Sequence, residues 1–289
     1  MSEIQEGSNI LEEIILVKDK LPNKQRHLCD YILENHADIG LLTVKELAHN
    51  AKVGTTTVLR LVKALGYDNF FDLKKEFYEI QKDYSDKWEN VQKSFGGNDE
   101  DEDYKMLSNI WTEGIQSLNK SLNSQLIENF KEAMDLIASA ERINLLGLRP
   151  YKAIAIYLEL LIEEFHSKTR QLSHDSESMF DRILQFNKDE VMVIFGFSPY
   201  LQRIIDAARV AHKKGVPIIL ITDHLSCPIA AFSTVILKIE MGEKYFSVMP
   251  IIALVEAMVV ELGKRNSNTS IEKIQDLVAT LKENKIIIE

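Results

Sequence analysis

The sequence predicts an α-helical amino-terminal domain carrying a helix-turn-helix, joined to an α/β domain whose parallel sheet is flanked by helices. Three observations predict this. Two short amphipathic segments between Leu42 and Leu73 are separated by a tight turn. A Gly-Gly pair followed by a run of acids, Gly96 to Asp103, interrupts the chain. Beyond it, short runs that are apolar throughout alternate with segments of helical period.

The first helix spans Asn9 to Lys20, with apolar Ile10, Leu11, Ile14, Ile15 and Val17. Pro22 opens the second, which runs through Arg26, Leu28, Tyr31, Ile32 and Leu33. Thr43 caps a third, with Glu46 three residues later completing a capping box. Ala48 is small, as two closely crossing helices require. The break lies within Asn50–Gly54, and Gly54 is the residue expected to take unusual backbone angles or to cap the next helix. Val58, Leu61, Val62 and Leu65 form that helix's apolar stripe, and Gly66 ends it in a left-handed conformation. Phe70, Phe71, Leu73 and Phe77 close the small core by packing rather than by stacking on bases.

In helix-turn-helix docking, the first turns of the second helix reach base edges. Here those turns hold Thr55, Thr56 and Thr57. Threonine offers a hydroxyl to phosphate or base and a methyl to thymine. Lys45, Arg60 and Lys63 follow as groove or backbone contacts. A blander reading makes the threonines a cap, leaves Lys63 solvated and pairs Arg60 with an acid. The net charge of −10 argues against nonspecific nucleic-acid binding, because phosphate attraction scales with local positive charge. From Lys45 to Lys75, however, six basic residues face three acids, a local +3. So small a patch predicts that a homodimer or homotetramer is needed for useful affinity on double-stranded DNA.

The domain boundaries expected are 1–80 for the helix-turn-helix domain, 81–103 for a linker that is acidic at its end, and 104–289 for the α/β domain. In the last, helices cover Tyr104–Leu122 and Ser124–Ser139. Strands are read at Ile143–Leu148, Thr169–Leu172, Val191–Phe197, Pro217–Thr222 and Thr234–Ile239. Helices are read at Tyr151–Glu164, Leu201–Lys214 (ended by Gly215), Ser247–Leu262 and Ser270–Glu283. His174, Asp175 and Ser176 read as a polar loop.

Open parallel sheets bind ligands beyond the carboxyl ends of their strands. That places a candidate ligand site at Gly147, Arg149, Tyr151, Ser198, Tyr200 and Thr222. Helix N-termini there favour anions, and the Arg149 guanidinium suits phosphate or carboxylate. The alternative pairs Arg149 with a nearby acid and makes Ser198 a helix cap. No run approaches the roughly 20 apolar residues needed to span a bilayer. The amino terminus lacks signal-peptide order, and Cys29 and Cys227 match no metal-ligand spacing. A cytoplasmic protein with no membrane partner, no metal and no cofactor is expected.

The chain resembles the RpiR family of bacterial transcription regulators. Over residues 8–80 the resemblance rests on Tyr31-Ile32-Leu33-Glu34-Asn35, Glu46-Leu47-Ala48, Val58, Arg60, Leu65-Gly66 and Asp72-Leu73-Lys74. Residues 104–265 resemble that family's SIS (sugar isomerase) domain. SIS domains that bind phosphosugars usually carry S-x-S-G-x-T after the third strand. Here the loop reads Gly196-Phe197-Ser198-Pro199-Tyr200-Leu201, and the first loop reads Gly147-Leu148-Arg149-Pro150-Tyr151. The resemblance implies a DNA-binding regulator whose SIS-like domain senses a small anionic, sugar-phosphate-like metabolite and has no catalytic residues. Two alternatives stand beside it. One is a phosphosugar isomerase, for which Glu177, His166 and His174 are the nameable acid–base residues. The other is a regulator whose SIS-like domain is only a dimerisation scaffold.

Overall fold

The computed structural model describes residues 10–40, 42–77, 92, 102–175, 177–225, 227–242, 245 and 247–287. The expected linker lies largely outside these residues, as do Asn9 and Ser176. The chain divides into two compact units, one amino-terminal and one built from Asp101–Asp223 and Phe232–Glu289.

The first unit is all helical: α1 (Ile10–Lys18), α2 (Asn23–Glu34), α3 (His36–Ile39), α4 (Val44–Asn50), α5 (Thr55–Ala64) and α6 (residues 70–77). Its core gathers Ile10, Leu11 and Ile14 from α1, Leu28 and Ile32 from α2, Leu47 from α4, and Val58, Leu61 and Val62 from α5. Lys18 donates to Asp30 at 3.1 Å and ties α1 to α2. Cys29 lies in this core, and burial pushes its thiol up to about 12, so it stays protonated and inert.

Phe71 departs from the expectation: it is 74% exposed, whereas Phe70, Leu73 and Phe77 are buried. Positions 70, 73 and 77 recur at helical spacing, and 71 lies one residue, about 100°, off that face.

The second unit is a five-stranded, wholly parallel sheet in the order β2-β1-β3-β4-β5. The strands are β1 (Arg142–Gly147), β2 (Thr169–Gln171), β3 (Glu190–Phe195), β4 (Ile218–Thr222) and β5 (Val235–Lys238). The helices are α7 (Glu102–Ser121), α8 (Ser124–Ser139), α9 (Tyr151–Glu163), α10 (Met179–Leu184), α11 (Gln202–Lys213), α12 (Met249–Arg265) and α13 (Ser267–Glu283). Every residue of β3 and β4 is buried, which is why these strands read as unbroken apolar runs. Glu102 and Asp103, expected at the end of the linker, are helical and belong to α7. The short α10 and a 3₁₀ turn at Ala230–Phe232 were not expected, being too short to show a period.

Candidate functional site

The turn between α4 and α5 is built by its hydrogen bonds. Thr43 Oγ1 accepts from the Glu46 amide at 3.3 Å, and Glu46 Oε2 accepts from the Thr43 amide at 2.7 Å, so the capping box is complete. The Thr43 amide holds the Glu46 carboxyl below its ordinary range. At the other end of α4, the Val53 amide donates to Ala48 O at 2.9 Å and the Lys52 amide to His49 O at 3.1 Å. This is a Schellman closure whose left-handed residue is Lys52, with φ 52°. The unusual backbone angle therefore falls at Lys52, not at Gly54, which caps α5 in an extended conformation (φ −79°, ψ 150°). Gly66 does take the left-handed position after α5, at φ 87°.

Helix α5 buries Val58, Leu61 and Val62 and turns its opposite face outward. That outer face carries Thr56, Leu59, Arg60 and Lys63 at i, i+3, i+4 and i+7, flanked by exposed Thr55 and half-buried Thr57. Lys45 is exposed on α4. Among the described residues no acid pairs with Arg60, so a purely structural ion pair does not account for it. Lys63 makes one contact, to Asp68 at 3.5 Å, with both side chains largely solvated. Leu59, 49% exposed amid polar neighbours, is the residue that sequence reasoning missed. An apolar side chain outside the stripe and on the reading face was the available signal.

The ligand candidates lie at the carboxyl ends of β1, β3 and β4, and their surroundings differ from one another. Gly147 ends β1, and its amide donates to Ser173 Oγ at 2.9 Å. A Cβ there would clash with the Tyr151 carbonyl oxygen, so only glycine fits where the chain turns into α9. Arg149 sits in that turn at φ 53°, exposed, with no acid paired to it among the described residues. Tyr151 opens α9 and stacks on Phe197, ring centroids 4.5 Å apart. Burial, and then the nearby Asp223 carboxylate, push the Tyr151 hydroxyl well above its usual range. Ser198 is buried, and its hydroxyl has no hydrogen-bond partner among the described residues. It is therefore not the helix cap: Leu201 caps α11 without a side-chain bond. Tyr200 donates its hydroxyl to Asp223 Oδ1 at 3.0 Å, and the Thr222 hydroxyl lies 3.5 Å from the same oxygen. Ser173, Phe197 and Asp223 were not singled out beforehand, because their neighbours become apparent only once the strands are in register.

Behind the first loop runs a polar chain. Ser173 N donates to Gln171 Oε1 at 3.1 Å, and Gln171 Nε2 donates to Glu159 Oε2 at 3.2 Å. His174 lies 3.8 Å from the same carboxyl oxygen. The acid–base residues weighed for isomerase chemistry are dispersed. His166 precedes the edge strand β2 and His174 follows it, so they lie at opposite ends of that strand. Glu177 is exposed, with its backbone amide on Asp175. No group of three or more metal-binding side chains gathers among the described residues, and no described helix is long and apolar enough to cross a membrane.

Known proteins match both units. A model described as a helix-turn-helix domain of the rpiR family matches residues 8–86, and a SIS domain model matches residues 136–261. The HTH-type transcriptional regulator HexR of Pseudomonas aeruginosa is 23% identical over 256 residues, covering 87% of this chain and 86% of its own. The uncharacterized HTH-type transcriptional regulator YbbH of Bacillus subtilis is 24% identical over 76% of this chain and 75% of its own. Among solved structures, the Vibrio vulnificus NanR protein complexed with ManNAc-6P shares the fold over 97% of this chain and 100% of its own, with TM-score 0.56 and 19% identity. The sugar isomerase domain of an RpiR transcription factor from Sphaerobacter thermophilus covers 61% of this chain and 99% of its own, with TM-score 0.57 and 20% identity. With an rpiR-type helix-turn-helix in front and a SIS domain behind, the chain is a transcriptional regulator of the RpiR family.

Proposed function

We propose that this regulator reads duplex DNA through the outer face of α5, and that its SIS domain senses a small anionic, sugar-phosphate-like metabolite at the carboxyl ends of β1, β3 and β4. The observation that carries the proposal is the exposed, acid-free face of α5 in a chain of net charge −10. Thr55, Thr56 and Thr57 contact bases and adjacent phosphate, Arg60 and Lys63 follow the groove, and Lys45 holds the backbone from α4. Two copies, in the cytoplasm, supply two such helices to a two-fold operator. The test is fluorescence anisotropy of the full chain on a palindromic upstream duplex at several salt concentrations. Saturable binding above that to scrambled duplex is expected, and equal binding to both would overturn the reading.

On the sensing side, Arg149 and the buried Ser198 hydroxyl offer a cation and a free donor to an anion, with Gly147, Tyr151, Tyr200 and Thr222 shaping the cleft. The metabolite shifts the regulator by binding one arrangement of the paired helices better than another. A scaffold-only reading has its own support: Ser173 already takes the Gly147 amide, and Asp223 takes the Tyr200 hydroxyl. Thermal shift against sugar phosphates, sugar acids and amino sugars separates the two. A ligand that binds the native state raises the melting midpoint, whereas a flat response across the panel favours the scaffold.

A further inference from the structure

We propose that Leu59 of α5 reads the C5-methyl group of a thymine in the major groove and so fixes one base of the operator. This rests on the DNA-reading face proposed above and names a group on the duplex that the face takes. Leu59 is 49% exposed and stands outside the core that α5 builds with Val58, Leu61 and Val62. It lies three residues after Thr56 and four before Lys63, so the three side chains share the outer face. Thr55, Thr56, Arg60 and Lys63 around it are exposed and polar. Among the described residues, α5 carries no other exposed large apolar side chain.

A seam for another helix would repeat apolar side chains at i, i+3, i+4 and i+7. Leu59 has Thr55 and Thr56 one turn before it and Lys63 one turn after it, so the face offers a single apolar point rather than a stripe. A base edge in the major groove offers its match. In an unmodified duplex only thymine presents a methyl group there; guanine, adenine and cytosine present donors and acceptors. Leucine has two methyl groups on a branched carbon and neither donor nor acceptor. Set against the cytosine amino group or the guanine carbonyl, it would displace water from a group it cannot pair, which penalises those bases. Thymine is thus chosen twice, by contact with its methyl and by exclusion of its competitors. The threonines of the first turn carry methyl groups too, but each shares its carbon with a hydroxyl whose hydrogen bond dictates where the methyl points. The terminal methyls of Leu59 stand one bond further from the backbone and answer to packing alone.

The probe is a duplex selected from a random pool by the full chain, with each thymine replaced in turn by deoxyuridine. That exchange removes the methyl and leaves every hydrogen-bonding group in place. Fluorescence anisotropy at one salt concentration gives the affinities of the native chain, Leu59→Ala and Thr56→Ser. Alanine keeps α5 helical and takes nothing from the core, while serine keeps the hydroxyl and loses only the threonine methyl. At one thymine of a half-site, deoxyuridine should weaken the native chain roughly fourfold, the value of burying one methyl-sized group. Leu59→Ala should bind the unmodified duplex roughly fourfold more weakly and then be nearly indifferent to the exchange at that thymine, whereas Thr56→Ser should keep the full loss. An equal deoxyuridine penalty in the native chain and Leu59→Ala would overturn the assignment, and so would a penalty abolished by Thr56→Ser. A selected duplex indifferent to every exchange would overturn the methyl contact and leave DNA reading by α5 intact. A pool that yields no enriched duplex would overturn both.

Discussion

Lys52 and Gly54 show where residue chemistry was legible and where it was not. The break between α4 and α5 was readable from composition, but its left-handed residue is a lysine, and Gly54 is extended. Local hydrogen bonds to Ala48 and His49 hold Lys52 there, and no composition rule assigns a lysine to that position. Thr43, by contrast, was fully legible, because a capping box needs only two residues at fixed spacing. Thr43→Ala should cost about 1 kcal/mol, measured by urea unfolding. His166 carries a residue-scale pH effect. Burial first, then Lys168 and Lys273, lower its pKa in the folded state. The unfolded chain therefore binds more protons near the ordinary histidine pKa, and stability is lost as the pH falls through that value. Melting midpoints of the native chain should drop between neutral pH and mildly acidic pH, and His166→Gln should flatten that drop.

Helices with a clear apolar face were predicted to within a few residues, and the strands were found because both faces are covered. The elements missed were α3, α10 and the 3₁₀ turn, which are too short to carry a period. Phe71 failed for a different reason: aromatic identity was read as burial, although its phase on α6 turns it outward. At the scale of α5, the exposed face separates two kinds of contact. Thr56→Ala should relax sequence preference while leaving nonspecific affinity nearly unchanged. Lys63→Ala should weaken every duplex and reduce the salt slope by about 1. Anisotropy titrations at several salt concentrations distinguish the two. Where α4 and α5 pack, Ala48 is buried, and Ala48→Leu should cost about 1–3 kcal/mol by overpacking.

For the whole molecule, the order of the two domains was legible from periodicity and the intervening acidic tract. The candidate ligand site is defined in the sequence by position alone. The loops were located because parallel sheets bind at strand carboxyl ends. What occupies those loops depends on contacts between segments far apart in sequence: Tyr151 on Phe197, and Tyr200 on Asp223. DNA affinity should fall only shallowly with salt, because so small a cationic patch neutralises few phosphates and added salt also screens the repulsion between DNA and the acidic remainder of a chain of net charge −10. Arg149 adds a further consequence. A side chain held at φ 53° costs the fold roughly 1 kcal/mol that glycine would not incur. Arg149→Gly should thus give a hardier protein, with a higher resting melting point and, on the sensing role proposed for this loop, no further rise when sugar phosphates are added. If so, this loop has kept heat tolerance and responsiveness in opposition, and selection for one erodes the other.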